Sequence, residues 1–381
     1  MKAKVVIITE IIAPYRIPVF NALAQRPEID LQLIFLSEND PALRQWMVYK
    51  DEIQFQYRVL PSWRQRFGKY HILLNRGVRS ALNASPPDVI VCGGYNYLAA
   101  WAAAYWARAR RIPFFLWTES TAMDRRRSYL AVELTKKYFL SLCTAFVVPG
   151  RSSLQYLKKL GVAERRIGIA PNAIDTALFS KLAEDARLNE SEIRARRQLP
   201  ERYFLFVGRL VKEKGIFDLL DAYAQLDAKI RAEIGLVFVG EGSQRRELMR
   251  RASKITPGSV QFSGFVHREE LPAIYALAAG LTFPTHSDPW GLVVNEAMAC
   301  GLPVITTNAA GCALDLVEEG WNGFVVPPND RDRLAAAIQN LAADSDLRRE
   351  MGRRSWERIQ AYSPAAWAQG IVQIAQSVDA K

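Results

Sequence analysis

The sequence predicts an α/β protein with two doubly wound, Rossmann-like parallel sheets. Its length of 381 residues exceeds the usual size of one domain. Continuous apolar runs, rich in β-branched and aromatic residues, alternate with helical patterns along the whole chain. Parallel strands that are buried on both faces have this pattern. Because the runs fall into two groups, separated by a polar stretch at residues 180–202, we expect one sheet in each half.

The predicted strands and the tail define the expected domains. In the first half the strands are Val5–Thr9, Leu31–Phe35, Val89–Val91, Phe114–Trp117, Ala145–Val148 and Ile167–Ala170. In the second half they are Tyr203–Val207, Gly235–Val239, Val260–Phe262, Leu281–Pro284, Pro303–Thr306 and Gly323–Val326. The tail is helical on both sides of Pro364, which ends one helix and begins the next. We expect domains at residues 1–178 and 179–361, a hinge near residues 172–180 and a last helix at residues 362–381.

Composition and charge narrow the possible functions. Half of the residues are hydrophobic and 23% are charged, which excludes disordered and collagen-like chains. The four cysteines form no CxxC pair, so no disulfide framework is expected and a reducing cytoplasm is the default location. With only three histidines in the sequence, a zinc centre is not expected either. Residues 1–180 hold 25 basic and 13 acidic residues, a balance of +12. Residues 181–381 hold 25 basic and 26 acidic residues, a balance of −1. We therefore expect the first half to meet an anionic partner: nucleic acid, a phosphorylated substrate or a membrane surface.

No transmembrane segment is expected. The apolar run after Lys4 is too short for a signal peptide, and the uncharged stretch at residues 89–107 is broken by Gly93 and Gly94. Residues 63–79 alternate basic with aromatic and aliphatic side chains. This pattern suggests an amphipathic helix, which either lies on a membrane surface or is solvated with one core-facing side.

Two motifs in the second half suggest a ligand site. Gly208-Arg209 and Lys214-Gly215 follow a predicted strand, where ligands of open α/β sheets bind, and two cations there could hold a diphosphate. After another strand, Asp288 stands in a loop and Glu296 one turn into a helix that ends at Gly301. Glu296 has apolar neighbours and therefore needs a hydrogen-bonding partner, unless it serves only the helix dipole or an ion pair along the helix.

Together these residues resemble the donor site of glycosyltransferase family 4, the group 1 glycosyltransferases. Asp288 and Glu296 match the family's E-x7-E motif, with Asp at the first position. The resemblance extends to Val239-Gly240-Glu241-Gly242, Phe262-Ser263-Gly264-Phe265, Gly301-Leu302-Pro303-Val304 and Asn322-Gly323-Phe324. It implies the GT-B fold: two Rossmann-like domains that face a central cleft, and a C-terminal helix that crosses back to the N-terminal domain. It also implies a retaining transferase.

The resemblance assigns a role to each matching residue. Arg209 and Lys214 would be catalytic, since they would bind the donor diphosphate and stabilise the leaving group. Glu296 would accept hydrogen bonds from the ribose, Asp288 would hold the transferred sugar, and Val266 would meet the base through its backbone. The implied donor-binding residues are Gly208, Glu241, Phe265, Val266, Asp288, Trp290, Gly291, Leu292 and Glu296. No cofactor and no metal are expected, because the cations and the helix N-terminus would replace a metal.

The first half departs from the family pattern in its loops. The loop after the first strand holds Tyr15 and Arg16 between prolines, where many members have a glycine pair. These two residues either face the acceptor or the diphosphate, or they belong to a proline-shaped connection with a solvated arginine. The turn at Gly93 and Gly94 is a second candidate cleft loop.

Glu119 occupies the place where the family often has a histidine. It is the third catalytic candidate, since it could contact the transferred sugar or orient the acceptor, although not as a nucleophile. The alternative is a helix N-cap pair with Ser120. Asp288 is one methylene shorter than the family's glutamate, which leaves the identity of the donor open.

The leading functional hypothesis is transfer of a sugar from a UDP- or GDP-sugar to a glycan or lipid-linked acceptor, in polysaccharide or glycolipid synthesis. The location expected is the cytoplasm, with possible peripheral contact at the anionic inner face of the membrane. A second hypothesis is a sugar-nucleotide epimerase or hydrolase on the same fold. A remote third is a nucleic-acid binder; because no recognised module supports it, no nucleic-acid partner is expected.

Overall fold

The chain forms two compact units in a computed structural model, which describes residues 2–40, 48–67, 70–123, 130–255 and 259–379. Within these ranges the first unit holds the residues up to Ser120, those from Leu130 to Ile174, and those from Ser363 onward. The second unit holds Asp175–Tyr362 and the short segment after Ser120. Each unit contains one parallel sheet of its own.

The strands of the two sheets and of one hairpin follow in chain order. They are β1 (Ala3–Thr9), β2 (Ile29–Phe35), β3 (Gln56–Val59), β4 (Ser62–Phe67), β5 (Tyr70–Asn75), β6 (Val89–Gly93), β7 (Phe114–Trp117), β8 (Ala145–Val148), β9 (Ile167–Ile169), β10 (Tyr203–Val207), β11 (Gly235–Val239), β12 (Val260–Gly264), β13 (Gly280–Phe283), β14 (Val304–Thr307) and β15 (Gly323–Val326). The first sheet has the order β3-β2-β1-β6-β7-β8-β9 and the second β12-β11-β10-β13-β14-β15. In each sheet the chain first adds strands on one side of its first strand, β1 or β10, and then adds the rest on the other side, as in doubly wound folds.

The helices connect the strands. They are α1 (Ile17–Ala24), α2 (Val78–Ala84), α3 (Leu98–Arg110), α4 (Leu130–Leu142), α5 (Arg151–Lys159), α6 (Thr176–Leu188), α7 (Glu190–Arg197), α8 (Ile216–Gln225), α9 (Ala228–Glu233), α10 (Arg245–Ala252), α11 (Leu271–Ala276), α12 (Leu292–Ala299), α13 (Ala313–Leu316), α14 (Arg331–Ala343), α15 (Ser345–Ile359) and α16 (Pro364–Asp379). The interruption at Pro364 is confirmed, because α15 and α16 lie on either side of it.

The first sheet is buried on both faces, which explains why its strands are continuously apolar. Along β1, Val6 and Ile8 join one core cluster, whereas Val5 and Ile7 join the other. On the face that carries Val5 and Ile7, α16 packs against α1, β8 and β9. Its Trp367 ring lies 5.7 Å from that of Phe20 in α1. The predicted return of the C-terminal helix to the N-terminal domain is therefore confirmed.

Residues 63–79 do not form the predicted helix. Residues 62–67 and 70–75 pair as the antiparallel strands β4 and β5, and α2 begins only at Val78. The alternation that suggested an amphipathic helix has a period of two: Arg64 and Leu73 pair on the inner face, whereas Trp63 and Leu74 pair on the outer face. Side chains at successive strand positions point to opposite faces, so this alternation fits a strand better than a helix. Gly68 and Lys69, at the centre of the segment, lie outside the described residues.

The predicted strands all exist, with small differences at their ends, and β3, β4 and β5 are additional. The division between the units falls between Ile174 and Asp175, and again between Tyr362 and Ser363. Both positions lie close to the expected boundaries at residues 178 and 361. The uncharged stretch at residues 89–107 forms β6, a turn and most of α3. None of the helices in the described ranges has both the length and the apolarity needed to span a bilayer.

Candidate functional site

The loops after β10, β11 and β12 meet at the carboxyl edge of the second sheet. The backbone N–H of Gly208 donates to the carbonyl oxygen of Val239, and that of Leu210 donates to the backbone carbonyl oxygen of Glu241. Gly240 has φ +131°, and a Cβ there would lie 2.0 Å from the carbonyl oxygen of Gly208. Glycine is therefore required for the loops to approach this closely. The carboxyl edge is where doubly wound sheets bind ligands.

Lys214 projects from this edge out of a tight turn. Gly215, with φ +67°, follows it, and a Cβ on Gly215 would lie 1.8 Å from the carbonyl oxygen of Pro284. The turn therefore packs directly against the end of β13. The Lys214 side chain is only 10% exposed, and its Nζ donates to Asp288 Oδ2 at 2.6 Å and to the carbonyl of Ser287 at 3.2 Å.

Arg209 does not share this environment. Its side chain is 59% exposed and forms an ion pair of 2.8 Å with Glu213, one helical turn away in sequence. Exposed pairs of this kind contribute little to stability. Arg209 is therefore free to exchange Glu213 for an anionic ligand, whereas Lys214 is fixed among buried groups.

The loop between β13 and α12 presents polar backbone groups. Asp288 Oδ1 accepts a hydrogen bond of 3.0 Å from the backbone N–H of Trp290. The backbone N–H of Trp290 is therefore already bonded within the protein. Within the described residues nothing accepts from the N–H of Gly291 or Leu292 at the start of α12. A helix N-terminus whose backbone N–H groups have no acceptor favours anions.

Trp290 contributes to the packing below this loop. It is 2% exposed, and its indole N–H donates to Asn295 Oδ1 at 2.9 Å. This bond fixes the loop against the first turn of α12. Gly291, with φ +97°, begins that helix in the left-handed region, which favours glycine.

Glu296 finds its predicted partner in Tyr275 of α11. The phenol Oη donates to Glu296 Oε2 at 2.7 Å, and the tyrosine is fully buried. Burial raises the pKa of Glu296 to about 7, although the hydrogen bond from Tyr275 opposes that rise. Glu296 is therefore not an ordinary surface carboxylate in an ion pair along the helix.

The residues after β12 form a partly open apolar surface. The Phe265 ring is 44% exposed and meets the His267 ring edge-to-face at 5.1 Å, while Val266 is 5% exposed. Glu241 forms an ion pair of 3.4 Å with Arg245 at the start of α10. An exposed aromatic face next to backbone groups can take up a flat heterocycle.

A second group of charges, not predicted from the sequence, supports the Lys214 turn. Asp218 of α8 is 7% exposed, and its carboxylate is 2.5 Å from His286 Nε2 and 2.9 Å from Arg331 Nε. The backbone N–H of His286 donates to the carbonyl of Glu213 at 2.8 Å. This group therefore ties the β13–α12 loop to the turn that ends in Lys214.

In the first unit, Arg16 and Glu119 meet at the carboxyl edge of the sheet. They form an ion pair with side chains 18% and 26% exposed. The guanidinium lies 4.0 Å from the Trp117 ring centroid and 5.5 Å from that of Tyr15. Burial lowers the pKa of Arg16, but the charges of Glu119 and Tyr15 raise it by more, so the net pKa is raised.

These contacts bear on the structural alternatives for Arg16 and Glu119. Arg16 is not solvated, so the interpretation as a plain proline-shaped connection is wrong. No helix begins in the described residues directly after Glu119, which end at Met123, and the Ser120 N–H donates to the Thr118 hydroxyl, so the N-cap interpretation of Glu119 is also wrong. Gly93 ends β6, and Gly94 has φ +103°, which makes their turn a second loop at the same edge.

Metal-binding groups and reactive thiols are not found at these sites. Over the described ranges, no three His, Cys, Asp or Glu side chains are arranged to hold a metal ion. The four cysteines are free and buried. Burial raises the pKa of the Cys92 thiol to about 12, so it stays protonated at neutral pH.

The comparisons with known proteins match both units. The family "Glycosyl transferases group 1" matches residues 189–358, and "Glycosyltransferase Family 4" matches residues 21–178. Glycogen synthase of Mycobacterium tuberculosis is 26% identical over 283 residues, which are 72% of this chain and 64% of that protein. O-antigen chain mannosyltransferase B of Escherichia coli is 34% identical over 148 residues, 38% of each chain.

A solved structure supports the fold. HepE of Anabaena, in complex with UDP and glucose, superposes with a TM-score of 0.75 and 18% identity over 100% of both chains. The chain therefore belongs to glycosyltransferase family 4, group 1, and has the GT-B fold.

Proposed function

We propose that the protein is a retaining, metal-independent glycosyltransferase that uses a nucleoside-diphospho-sugar donor. The observation that supports this most strongly is the buried Lys214 Nζ beside Asp288, on the same loop edge as the open N-terminus of α12. A buried cation and free backbone N–H groups in one place suit a group that gains negative charge as it leaves.

Each residue then has a defined task. Lys214, Arg209 and the N–H groups of Gly291 and Leu292 bind the diphosphate and stabilise its growing charge. Asp288 accepts hydrogen bonds from hydroxyls of the transferred sugar. A metal is unnecessary, because these groups supply the positive potential that a divalent ion supplies elsewhere.

The proposed sugar transfer requires no protein nucleophile. The bond between the anomeric carbon and the diphosphate oxygen breaks, and the acceptor oxygen bonds to that carbon from the same face. The acceptor proton passes to the departing diphosphate oxygen. The products are a glycoside with the donor's anomeric configuration and a nucleoside diphosphate.

The donor nucleotide lies along the loops of the second unit in this proposal. Glu296 accepts hydrogen bonds from the ribose hydroxyls, and the base contacts Phe265 and the backbone of Val266. HepE binds UDP and glucose, and the E. coli relative is named a mannosyltransferase. UDP- and GDP-sugars are therefore the donors to test first.

The acceptor is proposed to be a glycan or a lipid-linked saccharide that contacts the first unit. Glu119 is held by Arg16 and offers a carboxylate to acceptor hydroxyls. The balance of +12 over residues 1–180 suits a lipid diphosphate or an anionic membrane surface. A cytoplasmic protein with peripheral contact at the inner membrane face follows from this assignment.

The membrane contact is assigned to the outer face of the β4–β5 hairpin. Trp63, Ile72 and Leu74 are 53%, 42% and 39% exposed. Arg76 and Arg79 follow on the surface, and among the described residues no carboxylate pairs with either. Exposed aromatic and aliphatic side chains beside unpaired arginines suit an anionic lipid interface.

One experiment tests the donor assignment. The purified protein is heated with UDP, GDP, ADP and their sugar derivatives, in the presence of EDTA. A ligand that binds the folded state raises the melting temperature by mass action. Stabilisation by one nucleotide class with EDTA present is expected, together with transfer from the matching sugar. Stabilisation by none of them would refute the donor site, and release of free sugar or an epimer without acceptor would favour the hydrolase or epimerase hypothesis.

A further inference from the structure

Glu296 has one carboxylate oxygen bonded and one left open. Oε2 accepts the hydrogen bond of 2.7 Å from Tyr275, which is its only hydrogen-bond partner in the described part of the chain. Glu296 is partly exposed, and Oε1 retains access to solvent. A hydrogen bond to one oxygen restrains the rotation of a carboxylate and leaves its other oxygen available as an acceptor.

Tyr275 is itself fixed. It is fully buried in α11, and the preceding residue, Ile274, accepts a hydrogen bond of 2.6 Å from Tyr203 Oη through its carbonyl oxygen. Tyr203 is also fully buried, on β10. The phenol that meets Glu296 is thus attached to the central strand of the second sheet rather than to a mobile loop.

We propose that Tyr275 is a positioning residue for the donor: its hydroxyl orients the Glu296 carboxylate so that Oε1 accepts the ribose hydroxyls. The proposal rests on the donor site proposed above. Tyr275 does not touch the nucleotide and acts only through Glu296. Its contribution therefore appears in donor affinity and not in the chemical step.

The charge state of Glu296 depends on the same contact. Burial raises the pKa of Glu296 to about 7, and the hydrogen bond from Tyr275 lowers it. Among the described residues, the other titratable group that interacts with Glu296 is Cys300, directly after α12, and burial raises the pKa of its thiol far above neutral. Without the phenol, the carboxyl would keep its proton to higher pH and would accept ribose hydroxyls less well.

The test uses Tyr275→Phe, which removes one oxygen from a buried ring. Isothermal titration with UDP and GDP is expected to show about tenfold weaker binding of the preferred nucleotide at pH 7, as for loss of a hydrogen bond to a charged group. The kcat at saturating donor stays near that of the wild type, while KM for the donor rises. The pH at which affinity reaches its maximum moves upward.

Controls separate this proposal from the donor site itself. Tyr223→Phe removes another fully buried phenol, one that donates to the carbonyl of Ile234 at 2.8 Å, and should leave nucleotide affinity unchanged. Glu296→Gln should weaken binding, and adding Tyr275→Phe to it should weaken binding no further. If Glu296→Gln binds nucleotide as the wild type does, the donor site is wrong. If Glu296→Gln weakens binding but Tyr275→Phe leaves nucleotide affinity and its pH profile unchanged, the positioning role is wrong. The positioning role is also wrong if the effects of the two substitutions add in the double variant.

Discussion

Lys214 Nζ lies 2.6 Å from Asp288 Oδ2, across two loops that both follow strands of the second sheet. Both side chains are largely buried, at 10% and 19% exposure. A carboxylate beside a diphosphate would repel it, and Lys214 neutralises that carboxylate in advance. The same ammonium group is thus placed to bridge Asp288 and the donor phosphates in the proposed complex.

Replacing this lysine tests the bridge. Lys214→Ala is expected to lower kcat by about 10²–10³-fold, the usual cost of losing one stabilising group at a developing charge. Steady-state transfer assays with the preferred donor measure it. Lys212→Ala is the matched control, since Lys212 is an exposed lysine in the same turn and should retain full activity. Equal activity of the two variants would contradict the proposed role of Lys214.

The Asp218 group should be important for stability. Asp218→Ala leaves His286 and Arg331 without their shared partner and is expected to cost about 3 kcal/mol of unfolding free energy, as for losing the hydrogen bonds of a buried charged group. Asp221→Ala removes a more exposed partner of the same arginine, 2.8 Å away, and should cost less than about 1 kcal/mol. Urea titrations of both variants give the comparison. Similar costs for the two would mean that Asp218 is not the anchor of the Lys214 turn.

The pKa of Glu296 predicts how stability depends on pH. In the folded state the pKa is raised from 4.5 to about 7, so the folded protein binds this proton more tightly than the unfolded chain. The associated stability is present below pH 4.5 and is lost as the pH rises through 7, a difference of at most about 3 kcal/mol. Glu296→Gln lacks this dependence. Its melting temperature relative to the wild type should therefore increase from pH 5 to pH 8, and a constant difference would contradict the raised pKa.

The sequence was sufficient for the two sheets and for the positions, at strand and helix ends, of the residues in the proposed donor site. Both depend on local signals: continuous apolar strands, and motifs such as Gly208-Arg209 that directly follow a strand. Lys214, Asp288 and Glu296 could be placed because each stands within a few residues of such a strand or helix end. Their grouping follows from the rule that parallel strands end at one edge.

The remaining features depend on contacts between distant segments. Tyr275 precedes Glu296 by 21 residues and has no pattern that marks it as a partner. Asp218 is equally unmarked, although His286, inside the motif itself, was a usable signal. The β4–β5 hairpin differs from the predicted helix because mixed basic and apolar residues in a short run are a weak signal of either period. The strand pairing places Arg64 on the inner face, where it forms ion pairs with Asp40 and Glu10, which lie far from it in sequence.

The Arg16–Glu119 pair predicts an effect on the acceptor alone. Glu119→Gln weakens the ion pair and removes the acceptor carboxylate, so kcat/KM for the acceptor should fall about tenfold or more. Nucleotide binding, measured by thermal shift, should not change. Glu133→Gln is the control, because Glu133 lies in the same unit and its ion-pair partner among the described residues is Lys136 on its own helix. Weaker nucleotide binding in Glu119→Gln would place this residue with the donor instead.

The hairpin predicts where the protein meets a membrane. Trp63→Ser with Leu74→Ser should weaken binding to vesicles that contain anionic lipid, while the melting temperature stays the same, because both side chains are exposed. Leu188→Ser, at an 85% exposed leucine of the second unit, should change neither.

The arginines beside the hairpin supply the electrostatic part of that binding. Binding of the wild type should weaken as salt is raised from 0.05 to about 0.5 M, since screening shortens the reach of the charges to a few ångströms. Replacing both Arg76 and Arg79 by Ser should remove about 2 kcal/mol of binding free energy, at about 1 kcal/mol for each basic residue near an anionic surface. Co-sedimentation with neutral and anionic vesicles measures both effects. Equal binding to the two kinds of vesicle, or no loss in the arginine variant, would show that the positive charge of the first unit serves the acceptor and not the lipid surface.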